Sequence, residues 1–250
     1  LHREFNMTDD APLFRKGPGK GRLPLYEGKM IWHFTHTLAQ PRFWVDENEG
    51  RRALLGRRSD AGQEMGYQKY RIAYRAVASS TNERSMVATI IPSCFTGNSM
   101  NVSENLDLKT QLFCVTVLNS FTIDWFLRQK VSANINMFYV YQLPVPRLSA
   151  LDVAFEPITR RAARLICTTP EFDDLANEVG LKSHKDGVTE PDERARLRAE
   201  LDGLVAHLYG LTEEEFAYIL TTFPLVEQSV KEAALAAYRH VAPKPLDKQI

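Results

Sequence analysis

The sequence has no net charge, few cysteines and no long apolar run, and each absence narrows what it can be. Its 31 Lys and Arg balance 31 Asp and Glu, so no overall field draws the chain to a polyanion or to a cationic partner. The three cysteines, Cys94, Cys114 and Cys167, are odd in number, far apart and set among apolar residues. That predicts reduced, buried thiols and excludes a disulfide framework or a zinc site of paired cysteines. No apolar stretch approaches the roughly 20 residues that span a bilayer, and no charged start with an apolar core and small-residue cleavage site opens the chain. The expectation is no membrane partner, no metal and a cytoplasmic location. Catalytic signatures are missing too: there is no Gly-x-Ser-x-Gly, no His-Glu-x-x-His and no Gly-rich dinucleotide fingerprint. Gly17-Pro18-Gly19-Lys20-Gly21 reads as a loop, because a phosphate-binding loop needs Ser or Thr after Gly-Lys and a helix beyond it. Pro191-Asp192-Glu193 opens a helix, where the dipole favours acidic residues, so capping explains it better than metal-dependent nuclease chemistry. His33 and His36, three apart on an expected strand, face opposite sides and make poor joint ligands.

What is present begins with 44% hydrophobic residues in 250, enough to bury a core in one large or two modest domains. The chain starts at Leu1 inside what reads as structured sequence, which predicts a piece of something longer. The zero net charge conceals an asymmetry. Residues 1–147 hold 19 Lys and Arg against 13 Asp and Glu, and residues 148–250 hold 12 against 18. We therefore expect a basic α/β core over 1–147 and an acidic helical subdomain over 148–250, with a polyanion on the first side and a solvated or protein-facing surface on the second.

The chain is organised around YRIAYRAVASSTNERSMVATIIP, residues 70–92. Tyr70, Ile72, Tyr74 and Ala76 alternate with Arg71, Ala73, Arg75 and Val77, which predicts a strand with Arg71 and Arg75 on one outward face. Met86 to Ile91 is continuously apolar and stops at Pro92, as a strand buried on both sides does. The connector Ser79-Ser80-Thr81-Asn82-Glu83-Arg84 is either a solvated hairpin loop or a set of groups for phosphates and base edges. Upstream, Leu25 to Phe34 reads as a half-buried strand presenting Lys29 and His33, and Gln40 to Gly66 as a long charged loop with Arg51, Arg52, Arg57 and Arg58. Downstream, Cys94 to Asn105 reads as a polar loop. Helices are expected over Leu108–Leu118 and Phe121–Leu127, broken at Asn119-Ser120, followed by a strand at Met137–Tyr141. The acidic part is helical: Leu151 to Ile166, Glu171 to Val179, Pro191 to a stop at Gly210, and Val226 to Val241 before a loose tail. Between the last two, a helix starts with a Thr212/Glu215 capping box and a Leu211/Phe216 staple.

Polar side chains of the basic part gather at element ends, and their types suit DNA. Arg bonds bidentately to guanine and Asn to adenine, while Lys and Ser serve phosphates. The base-reading candidates are Arg75, Asn82, Arg84, Arg128, Asn134 and Asn136. Lys29, Arg71 and Lys130 are candidate backbone contacts, with His33 beside Lys29. For each of them a structural ion pair or a turn hydrogen bond is the plain alternative.

Four stretches carry a family resemblance: PLYEGKMIWHF at 24–34, residues 70–92 as quoted, LNSFTIDWFLRQKVSANINMFYVYQLPVP at 118–146 and LRAELDGLVAHLYGLTEEEFAYILTTFP at 197–224. They resemble the C-terminal target-recognition region of type IIG-like restriction–modification enzymes, which are adenine-specific DNA methyltransferases, and of related phage-defence methylases. The Asn-Ser helix leading to LPVP is also similar to the recognition domains of type I specificity subunits. The resemblance implies an α+β fold, a mixed-sheet recognition core followed by a helical C-terminal region, with double-stranded DNA and an N-terminal methylase domain as partners. In that family the methylase core carries an S-adenosylmethionine loop and an Asn-Pro-Pro-Tyr motif for the flipped adenine. Neither stands in this sequence, so the resemblance implies target recognition without a cofactor or catalytic residues here, and S-adenosylmethionine in the parent enzyme. Two other classes stay open: a protein-interaction module docking a partner through its acidic helices, and a free-standing nuclease or transferase with an unfamiliar site.

Overall fold

The structure is a computed structural model that describes residues 1–78, 82–103 and 106–241. Among these residues seven strands form two sheets. Strands β1 (Phe14–Arg15), β2 (Arg22–Tyr26), β3 (Phe43–Asp46) and β6 (Phe95–Thr96) make a mixed sheet in the order β1-β3-β2-β6, in which only the β2–β6 pair is parallel. Strands β4 (Arg71–Arg75), β5 (Ala88–Ile91) and β7 (Met100–Val102) make an antiparallel sheet with β4 in the middle. The organising hairpin forms in register, Arg71 opposite Ile91 and Tyr74 opposite Ala88. β5 is buried throughout, as its unbroken apolar run predicts.

Both faces of β4 are covered, so its arginine face does not look outward. The N-terminal segment lies against it, with bridges from His2 to Val102 and from Phe5 to Gly97. The expected strand over Leu25 to Phe34 is also shorter. β2 ends at Tyr26, a 3-10 turn spans Gly28–Met30, and a tight reversal joins Trp32 to Thr35 with Phe34 at φ +58°. That left-handed conformation is strained for an aromatic residue. It is held by the Phe34 N–H on the Ala88 carbonyl at 3.3 Å and by burial of the ring.

The charged 40–66 stretch is not a loop throughout: it holds β3 and helix α1 (Glu47–Leu55). Asp46 caps α1 by accepting from the Asn48 and Glu49 N–H groups. Its core-facing stripe is too thin to show in the pattern, because Gly50 lies against the Phe95 ring where any Cβ would collide. The polar run after Cys94 likewise contains β6 and β7, both buried.

Helix α2 (Leu108–Asn119) is capped by Asp107 and α3 (Phe121–Arg128) by Ser120, which explains the break at Asn119-Ser120. Met137–Tyr141 is a short helix, α4, and not a strand. These five apolar residues, whose pattern fits either state, take the local turn bonds, Tyr139 N–H to the Asn136 carbonyl and Leu143 N–H to that of Val140. Beyond Arg147 the chain is helical: α5 (Phe155–Ile166), α6 (Asp173–Glu178), α7 (Pro191–Leu208), α8 (Glu213–Thr221) and α9 (Gln228–His240). The Thr212/Glu215 capping box forms on α8. α7 and α9 approach at Gly203, where an added Cβ would lie 2.8 Å from the Tyr238 nitrogen. The C-terminal tail lies outside the described residues.

The largest apolar cluster draws on both sides of Arg147, joining Ile72, Ile90, Leu112 and Val115 to Ile158, Leu165, Leu197 and Leu204. The observed architecture is therefore α+β, a mixed-sheet region and a helical C-terminal region sharing one core. No helix among the described residues is long and apolar enough to cross a membrane. Burial pushes the Cys94 and Cys167 thiols up to about 12 and the half-buried Cys114 up to about 11.

Candidate nucleic-acid interface

Half of the residues expected at the DNA surface are turned inward and bonded. Arg71 is 1% exposed; its Nη1 donates to Glu4 at 2.5 Å and its Nη2 to the Cys94 carbonyl at 2.6 Å. Arg75 clamps the 28–31 turn onto β4, its Nε donating to the Gly28 carbonyl at 2.8 Å and its Nη2 to that of Ile31 at 2.5 Å. Its guanidinium also lies 4.9 Å from the Trp32 ring, and burial lowers its pKa. Arg84 is buried, with Nε 2.8 Å from Asp124, Nη2 on the Asn119 carbonyl at 2.5 Å and its guanidinium 4.0 Å from the Phe121 ring. Arg128 donates to the Asn82 carbonyl at 2.8 Å and lies over the Phe223 ring. His33 is buried and its Nε2 lies 2.8 Å from the Met86 carbonyl, so Nε2 is the protonated nitrogen. Burial, with Arg84 nearby, holds its pKa well below 6.5. These contacts hold the frame together, and none of these five side chains projects freely to the surface.

The other five are exposed. Lys29 stands 3.3 Å from Glu27. Lys130 lies over the Phe126 ring at 4.6 Å. Asn134 and Asn136 belong to a segment that pairs with the end of β4: Ala78 N–H donates to the Ala133 carbonyl at 3.1 Å, and Ile135 N–H to the Ala76 carbonyl at 2.8 Å. Asn82 is brought to the same end of the molecule by the Arg128 bond. Of the connector, Ser79, Ser80 and Thr81 lie outside the described residues. In and after α1, Arg51 is bound in a fork to Asp60 at 2.7 Å, while Arg52, Arg57 and Arg58 are exposed.

The same edge carries large apolar side chains that the pattern did not single out: Val77 is 65%, Phe138 64% and Tyr141 67% exposed. A strand over 137–141 would have alternated them in and out; the helix leaves both rings in solvent. Asn136 stands at the N-cap position of that helix, and its backbone carbonyl, not its side chain, accepts from the Tyr139 N–H. Exposed aromatics beside amides and a lysine form a surface that can stack on or insert against bases while the polar groups bond to edges and phosphates.

The chain shares its fold with a restriction–modification enzyme. A solved structure of the type IIL restriction–modification enzyme MmeI in complex with DNA matches 92% of this chain with a TM-score of 0.51 at 13% identity. This chain spans about a third of that protein, 35% of its length. No family model matches the sequence, and no curated protein matches it.

Proposed function

We propose that this chain is the sequence-reading part of a restriction–modification or phage-defence enzyme that methylates adenine N6 in double-stranded DNA. The observation that carries the reading is the α+β fold shared over nearly the whole chain with an enzyme solved on DNA; the motif resemblance points the same way. Asn82, Asn134 and Asn136 are the base-reading candidates, with Phe138 and Tyr141 packing against the duplex. Lys29, Lys130, Arg52 and Arg57 neutralise phosphates at the rim. His33, Arg71, Arg75, Arg84 and Arg128 act from inside by fixing the segments that carry those groups. Methyl transfer and S-adenosylmethionine are assigned to a partner methylase domain, since neither the cofactor loop nor the Asn-Pro-Pro-Tyr motif of the resembled family stands in this sequence.

The test is selection of this protein on a random duplex pool across a salt series, with the recovered DNA sequenced. An enriched short motif, with affinity falling steeply as salt rises, supports the reading. Absence of binding even at low salt overturns DNA reading by the chain alone and moves the function to the docking of a partner protein.

A further inference from the structure

A cavity of about 300 Å³ lies between the 32–34 turn, the start of α3 and the facing sides of α7 and α9. The DNA reading leaves it unused. Several polar groups on its wall are already committed. Arg84 is held by Asp124 and the Asn119 carbonyl, and the Asn119 amide exchanges both of its bonds with Ala88.

Apart from the exposed Glu83 and Ser229, three groups of the wall keep bonding capacity. Arg198 makes no hydrogen bond to any described residue, although it is largely buried and its pKa is lowered for that reason. Asp202, one turn further along α7, accepts from the Phe121 N–H through Oδ1 at 2.9 Å, which leaves Oδ2. His33 spends Nε2–H on Met86, which leaves Nδ1 as an acceptor. The remaining lining is chiefly apolar, including Trp32, Phe121 and Val230.

The charges decide what fits. Asp202 and Glu83 share the wall with Arg198, so a phosphate would meet two carboxylates for one uncommitted guanidinium. A neutral planar ring avoids that conflict. If its edge carries both an acceptor and an amino donor, it uses all three open groups, and its faces lie against aromatic and aliphatic carbon. The volume is at the lower end of small-molecule sites.

We propose that this cavity binds a nucleobase, with Arg198 donating to a ring acceptor and with Asp202 and His33 Nδ1 accepting from the exocyclic amino group. The base belongs to a free nucleoside or is swung out of a strand; both sources present the same edge. The proposal stands on the cavity alone and goes beyond the DNA reading.

The experiment titrates the whole protein with each of the four deoxynucleosides, read by quenching of tryptophan fluorescence and checked by equilibrium dialysis. A parallel titration uses a duplex with 2-aminopurine opposite an abasic site. The expected result is saturable binding of at least one amino-bearing nucleoside at or below the millimolar range, with thymidine, which lacks the amino group, the weakest. Arg198→Met weakens binding about tenfold or more, the scale of one lost charged hydrogen bond. Asp202→Asn keeps the acceptor for Phe121 N–H and serves as a second variant that folds. Saturation in the nucleoside arm alone assigns the free ligand, and saturation in the duplex arm alone assigns the extruded base. Lack of saturation in both arms overturns the proposal, as does binding that Arg198→Met and Asp202→Asn leave unchanged. Salt-sensitive binding of intact duplex is scored separately, so the cavity and the DNA reading can fail independently.

Discussion

Replacing Arg84 by Met separates a residue that reads DNA from one that holds the protein together. Met keeps most of the apolar stem but removes the guanidinium from Asp124, whose side chain is fully buried. The stranded carboxylate would retain the Ser85 and Met86 N–H donors at 3.1–3.2 Å, so it is not wholly unsatisfied. Breaking a buried pair from one side costs about 3–5 kcal/mol. The two backbone donors and the kept stem place this case at the lower end, about 3–4 kcal/mol. For a chain of 250 residues that lowers Tm by about 6–8 °C, at roughly 2 °C per kcal/mol. Urea unfolding followed by circular dichroism measures the loss. Adding Asp124→Asn recovers part of it, because the amide oxygen still accepts from Ser85 and Met86 without a buried charge. At a temperature where the variant is folded, the salt dependence of duplex binding stays at the wild-type slope. Wild-type stability together with weakened DNA binding would refute this reasoning and return Arg84 to the surface.

Lys130→Ala should behave in the opposite way: stability within about 0.5 kcal/mol of wild type, and a log–log salt slope for duplex binding shallower by about one. Asp202→Asn tests a pH dependence. Burial raises the Asp202 carboxyl from 3.8 to about 6, so the native state holds a proton that the unfolded chain has already released. Stability from this group therefore falls as pH rises between those values and is fully lost above about 6, at most about 3 kcal/mol. The advantage of the Asn variant in urea melts should be small at pH 4 and reach its plateau by pH 7. Thr212→Ala removes the hydroxyl that accepts from the Glu215 N–H and should destabilise the protein by about 1 kcal/mol, read as earlier amide exchange in the first turn of α8.

The sequence was most informative where local signals agreed with each other. The β4–β5 hairpin followed from alternation meeting an unbroken apolar run, and α8 from a cap, a reciprocal Glu and a staple within six residues. The α2–α3 break was readable because Ser120 is a strong cap. Signals failed where a distant partner decided the outcome. Alternation placed Arg71 and Arg75 on one face, but the cover on that face comes from Glu4 and the 28–31 turn, and nothing local to β4 encodes it. Arg84 sits in a polar connector that reads as exposed, yet its carboxylate lies forty residues away on α3. Met137–Tyr141 carried apolar residues compatible with two periods, and the structure resolves them as a short helix closed by local turn bonds. Nothing local to α7 marks Arg198 and Asp202, and only the packing of α9 and the 32–34 turn against α7 makes them part of a cavity wall.

The apolar cluster drawn from both sides of Arg147 makes residues 148–250 part of the same hydrophobic core as the sheets. A protein cut at that point would leave α2, with Leu112 and Val115, without the α5 and α7 helices that pack on it, and bare carbon on that scale is an aggregation hazard. A functional transplant that keeps residues 1–147 and discards the rest would therefore yield inclusion bodies. The smallest unit that can be moved between proteins is the set of elements closing that cluster, whereas the exposed amides and rings at the end of β4 can be exchanged one at a time on a frame that stays folded.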